Sequence, residues 1–133
     1  MEPLRTLLNV PGNRENMIQK AQSLPADAIV LDLEDSVPIA EKGKARELAK
    51  NSLGGLALRG QKVIVRINSL SSGLAEEDLG AIIREGLDGI NLRNVTGGGT
   101  TNFDINNVNI LTPGGIGIIM SDVTGTGIID NTT

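Results

Sequence analysis

Residues 28–37 read AIVLDLEDSV, an apolar run that ends in Asp32, Glu34 and Asp35, three acids within four positions. The run has the character of a buried strand, so the acids fall at or just past its C-terminal end. In parallel α/β sheets and barrels that end carries the chemistry. Like charges this close repel, so a cationic group must meet them, whether Arg, Lys or a divalent metal. Alternation along the strand puts Asp32 and Glu34 on one side, with Asp35 turning into the following loop.

Composition narrows the chemistry. The 133 residues include neither Cys nor His. That removes thiolate nucleophiles, Cys-ligated zinc, disulfides, Ser-His-Asp catalysis and imidazole metal ligands. An enzyme of this composition works with carboxylates, Arg, Lys, backbone groups and a bound ion. A formal net charge of −4 argues against a nucleic-acid partner, which calls for a basic face. The N-terminal MEPLRTLLNVPGNRENM does not read as a signal peptide. No run approaches the ~18 apolar residues of a membrane span, so no membrane partner and a cytoplasmic location are expected. The length suits one ordinary core and falls well short of the roughly 250 residues of a full eight-stranded barrel.

The elements that must position the acids lie in the first part of the chain. All twelve Lys and Arg fall between Arg5 and Arg93, and beyond Arg93 the only charges are Asp104, Asp122 and Asp130. This divides the chain into residues 1–93 and a Gly-, Asn- and Thr-rich tail, 94–133. LRTLLNV, AIVLDL, QKVIVRIN and LDGINL read as four strands, each pair separated by a helical pattern. Asn13 is placed to cap the first helix. Pro38 stands near the start of the second, which the LGGL glycines suit as an end. Ser72 is placed to cap the third, with Gly86 as its stop. Four strands and three helices in this order imply a right-handed parallel α/β sheet. In the tail, the apolar pairs Phe103/Ile105, Val108/Ile110 and Ile116/Ile118 fit β-solenoid rungs or a hairpin or meander equally well.

The segments LRTLLNVPGNRENMIQKA, LPADAIVLDLEDSVPIAEKGKAR, VIVRINSL and GLDGINL resemble the opening of the citrate lyase β-subunit / malyl-CoA lyase family, collinearly over residues 4–92. The resemblance implies half of a TIM-type (β/α) barrel. It also implies Mg²⁺-dependent making or cleaving of C–C bonds in acyl-thioester substrates that bear a hydroxy acid. A small carboxylate or acyl-thioester ligand follows.

Arg66, at the end of the third strand, can grip a carboxylate through a bidentate fork that Lys does not reproduce. The matching family Arg does so and polarises the keto-acid carbonyl. A structural ion pair from Arg66 to Asp32 or Glu34 is the alternative. By the resemblance, Glu34 and Asp35 hold waters around the metal or orient the Arg; helix capping is the other reading of Asp35. Gly12 and Asn13, in the PGN turn, offer backbone N–H groups to an anion at a helix start, or form a plain turn. Arg5 matches a family Arg at the first strand and is a second substrate-binding candidate, with solvent exposure as its alternative. Lys42 and Arg46 are expected on the solvated face of the second helix, although by the resemblance the matching family positions lie near the active-site rim.

The resemblance breaks after the fourth strand. There the family has Leu-Pro-Lys followed by a Mg²⁺-ligating Glu; here Arg93, Asn94 and Thr96 stand at the Pro, Lys and Glu positions. A neutral hydroxyl is a poor substitute for a carboxylate on a hard dication. No strand is expected to match the family's fifth, which brings a second metal-ligating Asp, and Asp104 and Asp122 stand in no matching context. The expectation is therefore a citrate-lyase-like carbon–carbon lyase with an impaired metal centre. Its rivals are an inert, chimaeric or oligomerising module, and a solenoid fragment of a surface or carbohydrate-active protein. Open sheet edges point to a homo-oligomer.

Overall fold

The computed structural model describes residues 5–57, 60–93 and 117–121. The expectations for the solenoid or meander over 94–116, for Thr96, and for Asp104 and Asp122 lie outside the described residues.

The four expected strands are β1 (Leu7–Pro11), β2 (Ala28–Asp32), β3 (Lys62–Ile67) and β4 (Gly89–Arg93). They pair in sequence order, all parallel. The helices α1 (Glu15–Ala21), α2 (Lys42–Ala57) and α3 (Ala75–Ile82) form the connections, as parallel pairing requires. This is an α/β architecture consistent with half of a barrel. A fifth strand, β5 (Gly117–Ser121), pairs in parallel with β4, with Gly89 opposite Gly117 and Arg93 opposite Ser121. The apolar segment around Ile118, expected as a short tail strand, thus extends the sheet, and Gly117–Ser121 carries no Asp to match the metal-ligating Asp of the family's fifth strand. Ile118, Ile119 and Met120 supply the β-branched and apolar content that suits a strand.

Alternation divides the sheet into two faces. Ile29, Leu31, Val63, Val65, Ile90 and Leu92 join the helix residues Ile18, Ala45, Leu53 and Ile82 in the main core. The opposite face carries a small second cluster, Ala28, Val30 and Ile64. Asp32 and Arg66 follow Val30 and Ile64 on that second face by the two-residue period, and they sit opposite each other in register.

Several local expectations are corrected. Arg14, not Asn13, holds the N-cap position of α1, and no side chain caps that helix. The Asn13 side chain is buried and donates to Glu41 Oε2 at 3.1 Å instead. The LGGL glycines do not end α2, which runs on to Ala57. Leu53 and Leu56, both fully buried, anchor the helix on either side of Gly54 and Gly55 and outweigh their poor propensity. Leu74 takes the N-cap position of α3, while Ser72 Oγ accepts from Leu74 N at 3.1 Å within the preceding turn. The helix ends at Ile82, and Gly86 then turns the chain into β4 with φ +103°, where a Cβ would lie 2.8 Å from Leu53 O.

Candidate functional site

The C-terminal ends of β1, β2 and β3 bring together Gly12, Asp32, Glu34, Asp35 and Arg66. The closest relationship is ionic. Arg66 Nε donates to Asp32 Oδ1 at 2.8 Å, and Nη2 donates to Oδ2 at 2.5 Å. Asp32 is 2% exposed. Its carboxylate also accepts from Glu34 N at 2.8 Å, Ser36 N at 3.0 Å and Ser36 Oγ at 2.5 Å. Burial alone would push this carboxyl up. The Arg66 fork, the Ser36 hydroxyl and the two loop amides outweigh burial and hold it at about 2. Arg66 is driven the other way. The bond to Asp32 raises its pKa against the cost of desolvation, and the charges of Asp32, Glu34 and Asp35 add to the effect. The guanidinium is thus a permanent cation with a fixed edge.

The loop after β2 is tied down from both sides. Gly12 N donates to Asp32 O at 2.8 Å, and a Cβ on Gly12 would meet that same oxygen at 2.7 Å. Only glycine allows this approach. Gly12 therefore commits its amide hydrogen to β2, and Asn13 directs its side chain to Glu41. Glu34 is half-buried and Asp35 exposed, both within electrostatic reach of Arg66.

Arg5 lies elsewhere. It precedes β1 at the N-terminal side of the sheet, where its backbone N donates to Asp27 Oδ2 at 2.8 Å. Pro11, the β1 residue level with Asp32 and Arg66, lies six positions further along the chain, roughly 20 Å at strand rise. The structure does not bring Arg5 together with the other candidates: it precedes β1 at the end of the sheet remote from Asp32 and Arg66.

Of the two readings of Lys42 and Arg46, the solvated face does not hold, since both side chains turn toward the strand ends. Lys42 Nζ donates to Leu33 O at 2.8 Å and to Glu34 O at 2.6 Å. Arg46 donates from Nε and Nη2 to Oδ1 of the buried Asp78, at 3.1 and 2.9 Å, and pairs with Glu77 at 3.2 Å. Asp78 Oδ2 accepts from Asn68 N and Nδ2 at 2.9 and 2.7 Å. Ser36, Asn68 and Asp78 were missed in the sequence. Asp78 looks there like an ordinary first-turn helix acid, the third of the run Glu76, Glu77, Asp78, and nothing local marks it for burial.

The donor set does not suit a Mg²⁺ ion. Both oxygens of Asp32 are already occupied by N–H and O–H donors. Among the described residues no three Asp, Glu, His or Cys side chains converge as a metal site. Glu34 and Asp35 alone fall short of the oxygen-rich shell a hard dication takes. The described residues do not fit a complete Mg²⁺ centre.

Comparison with known proteins follows the same segment. The model of the HpcH/HpaI aldolase/citrate lyase family matches residues 5–100. Citrate lyase subunit beta of Leuconostoc mesenteroides subsp. cremoris is 38% identical over 91 residues, 68% of this chain and 30% of that protein. Mitochondrial citramalyl-CoA lyase of Homo sapiens is 45% identical over 82 residues, 62% of this chain and 24% of that protein. A (3S)-malyl-CoA thioesterase of Cereibacter sphaeroides is 40% identical over 88 residues, 66% of this chain and 31% of that protein. The chain spans less than a third of the length of each of these relatives. Among the described residues no helix is long and apolar enough to cross a membrane.

Proposed function

Because the chain belongs to the HpcH/HpaI aldolase/citrate lyase family, we propose that its strand ends bind the carboxylate of an acyl-thioester hydroxy acid, as part of a carbon–carbon lyase site. Arg66 is the anchor. The observation that carries this is its pairing with Asp32: one edge of the guanidinium is fixed at two adjacent strand ends. A guanidinium has five N–H donors, and Asp32 engages two of them, so an oriented cation still has donors to offer a planar anion.

The reaction on this reading is a retro-aldol cleavage. The substrate hydroxyl loses its proton and becomes the carbonyl of a keto acid. The adjacent C–C bond breaks, its electron pair passes to the carbon next to the thioester carbonyl, and that carbon takes up a proton from solvent, which balances the one the hydroxyl releases. Arg66 holds the carboxylate of the keto-acid half and stabilises charge on the neighbouring oxygen. Glu34 and Asp35 orient the Arg electrostatically and shape the rim. The names of the relatives, which refer to citrate, citramalyl-CoA and malyl-CoA, all denote hydroxy acids with a free carboxylate, and this supports the assignment. Turnover by this chain is weak on this reading, since the described residues lack a complete Mg²⁺ set and Thr96 stands at the family's Glu position.

A second reading, an inert module that retains only anion binding, is favoured by the saturation of the Asp32 oxygens. Calorimetric titration with oxaloacetate tests the shared core of both, and Mg²⁺-dependent stabilisation of the fold separates them. Wild type binds oxaloacetate, and Arg66→Lys loses affinity by roughly tenfold or more while remaining folded, because the fork is gone. Equal binding by that variant rejects the anchor role.

A further inference from the structure

Two cations stand one turn apart on α2, and each reaches toward the strand that carries Arg66. Lys42 takes the first route. Its Nζ donates to the carbonyls of Leu33 and Glu34, and Leu33 N in turn donates to Arg66 O at 2.9 Å. Arg46 takes the second. It holds Asp78 Oδ1, and Asp78 Oδ2 holds both the backbone N and the side-chain amide of Asn68, two residues beyond Arg66. The chain is therefore held at two successive points at the end of β3, the carbonyl of Arg66 itself and Asn68 two residues on.

We propose that Lys42 and Arg46 are positioning residues for Arg66, forming a two-pronged brace on α2 that sets the angle at which the guanidinium meets its anion. This rests on the reading of Arg66 as the carboxylate anchor. The spacing of four residues puts both cations on one helix face, so a single rigid element fixes both strand-end loops. Stability alone is a poor reason for such groups. A buried Asp–Arg pair carries a desolvation cost that apolar residues of similar volume avoid, and Asp78 is 1% exposed. Its use at this place is to fix geometry. An Arg–carboxylate fork tolerates little misalignment, and a displacement of about 1 Å near a reacting group costs up to a hundredfold.

The test uses the full chain and two readouts. Hydrogen exchange of the Arg66 side-chain Hε, followed by NMR, reports on the Asp32–Arg66 fork with no ligand present. Titration with oxaloacetate reports on anion binding. In Lys42→Met and in Arg46→Gln, Hε exchange accelerates roughly tenfold while the core amides of Val30 and Ile64 keep their protection. Oxaloacetate affinity falls by a similar factor, and Lys42→Arg, which still donates to two carbonyls, restores both. Where Lys42→Met does not fold, Lys42→Gln, with one donor retained, replaces it. Unchanged Hε exchange in both folded variants overturns the brace. So does acceleration that the core amides share, because that is plain destabilisation. If wild type binds no oxaloacetate, the carboxylate reading fails by itself, and Hε exchange still decides the brace.

Discussion

Asp32 and Arg66 face each other in register across β2 and β3, and two N–H groups of the guanidinium meet the two oxygens of the carboxylate. Parallel pairing brings together two residues 34 positions apart, and burial makes each depend on the other. A carboxylate without this partner would be forced toward its neutral form, and an arginine without the carboxylate would lose its orientation.

Stability should therefore depend on pH through Asp32. Its folded pKa, about 2, lies below the ordinary 3.8, so the native state favours the ionised form. The contribution is complete above 3.8 and disappears as the pH falls through 2. The gap corresponds to about 2 kcal/mol. Asp32→Asn should cost about 3 kcal/mol at neutral pH, since it leaves a buried cation without its counter-charge. The difference between wild type and variant should shrink as the pH approaches 2. Urea unfolding at a series of pH values checks this, and a difference that stays constant with pH contradicts it. Asp27 also has a lowered pKa, from the Arg5 and Thr6 amides, but it is unchanged in the variant and cancels in the comparison.

Two glycine substitutions should act in opposite directions. At Gly12 a Cβ would lie 2.7 Å from Asp32 O and 3.0 Å from Leu33 Cδ2, against backbone and a buried side chain. Gly12→Ala should cost about 2 kcal/mol or more, as overpacking does. At Gly54, in the interior of α2, a Cβ meets nothing within 4 Å. Gly54→Ala should stabilise by about 0.5–1 kcal/mol through helix propensity. Denaturant midpoints of the two variants should straddle that of the wild type.

What was legible in the sequence was local and periodic. AIVLD announces a buried strand that ends in acid, and the alternation in VIVRI places Arg66 where Asp32 can meet it. The partners of Lys42 and Arg46 were not legible. Arg46 meets Asp78 across 32 residues, and a helix pattern alone cannot say which cations lie over a strand end. Arg5 precedes a strand, and in a parallel sheet such a residue sits at the end opposite the chemistry. The end of α2 was misread because glycine propensity is weak beside the burial of Leu53 and Leu56. The pairing of β5 with β4 spans 23 residues without helical periodicity, so no local pattern announces it.

Mg²⁺ should bind weakly, at millimolar concentration or above, because among the described residues no three acidic side chains converge and both oxygens of Asp32 already accept hydrogen bonds. Thr96→Glu should tighten binding if that position occupies the place of the family's ligating Glu. Thermal unfolding with and without Mg²⁺ gives the readout, as a ligand that binds only the native state raises the midpoint. Micromolar binding by wild type would show that residues other than these complete the centre.

The last prediction concerns assembly. Among the described residues β1 and β5 each have a single neighbour, so the sheet presents two edges. Leu7, on β1, is 50% exposed, and no charged residue occurs in LLNVP to blunt that edge. Parallel sheets in stable proteins are covered on both faces and seldom present such a strand to water. A second copy that covers it would bury apolar area worth roughly 25 cal/mol per Å², and about 1,200 Å² is the lower range for a stable pair. A homodimer or larger assembly is expected at micromolar concentration. Leu7→Lys should shift it toward monomer, since a lysine on an edge strand opposes pairing with another chain. Sedimentation velocity on both proteins decides the matter. A wild type that sediments as a monomer would mean that the chain covers its own edges, and the assembly reading would fall.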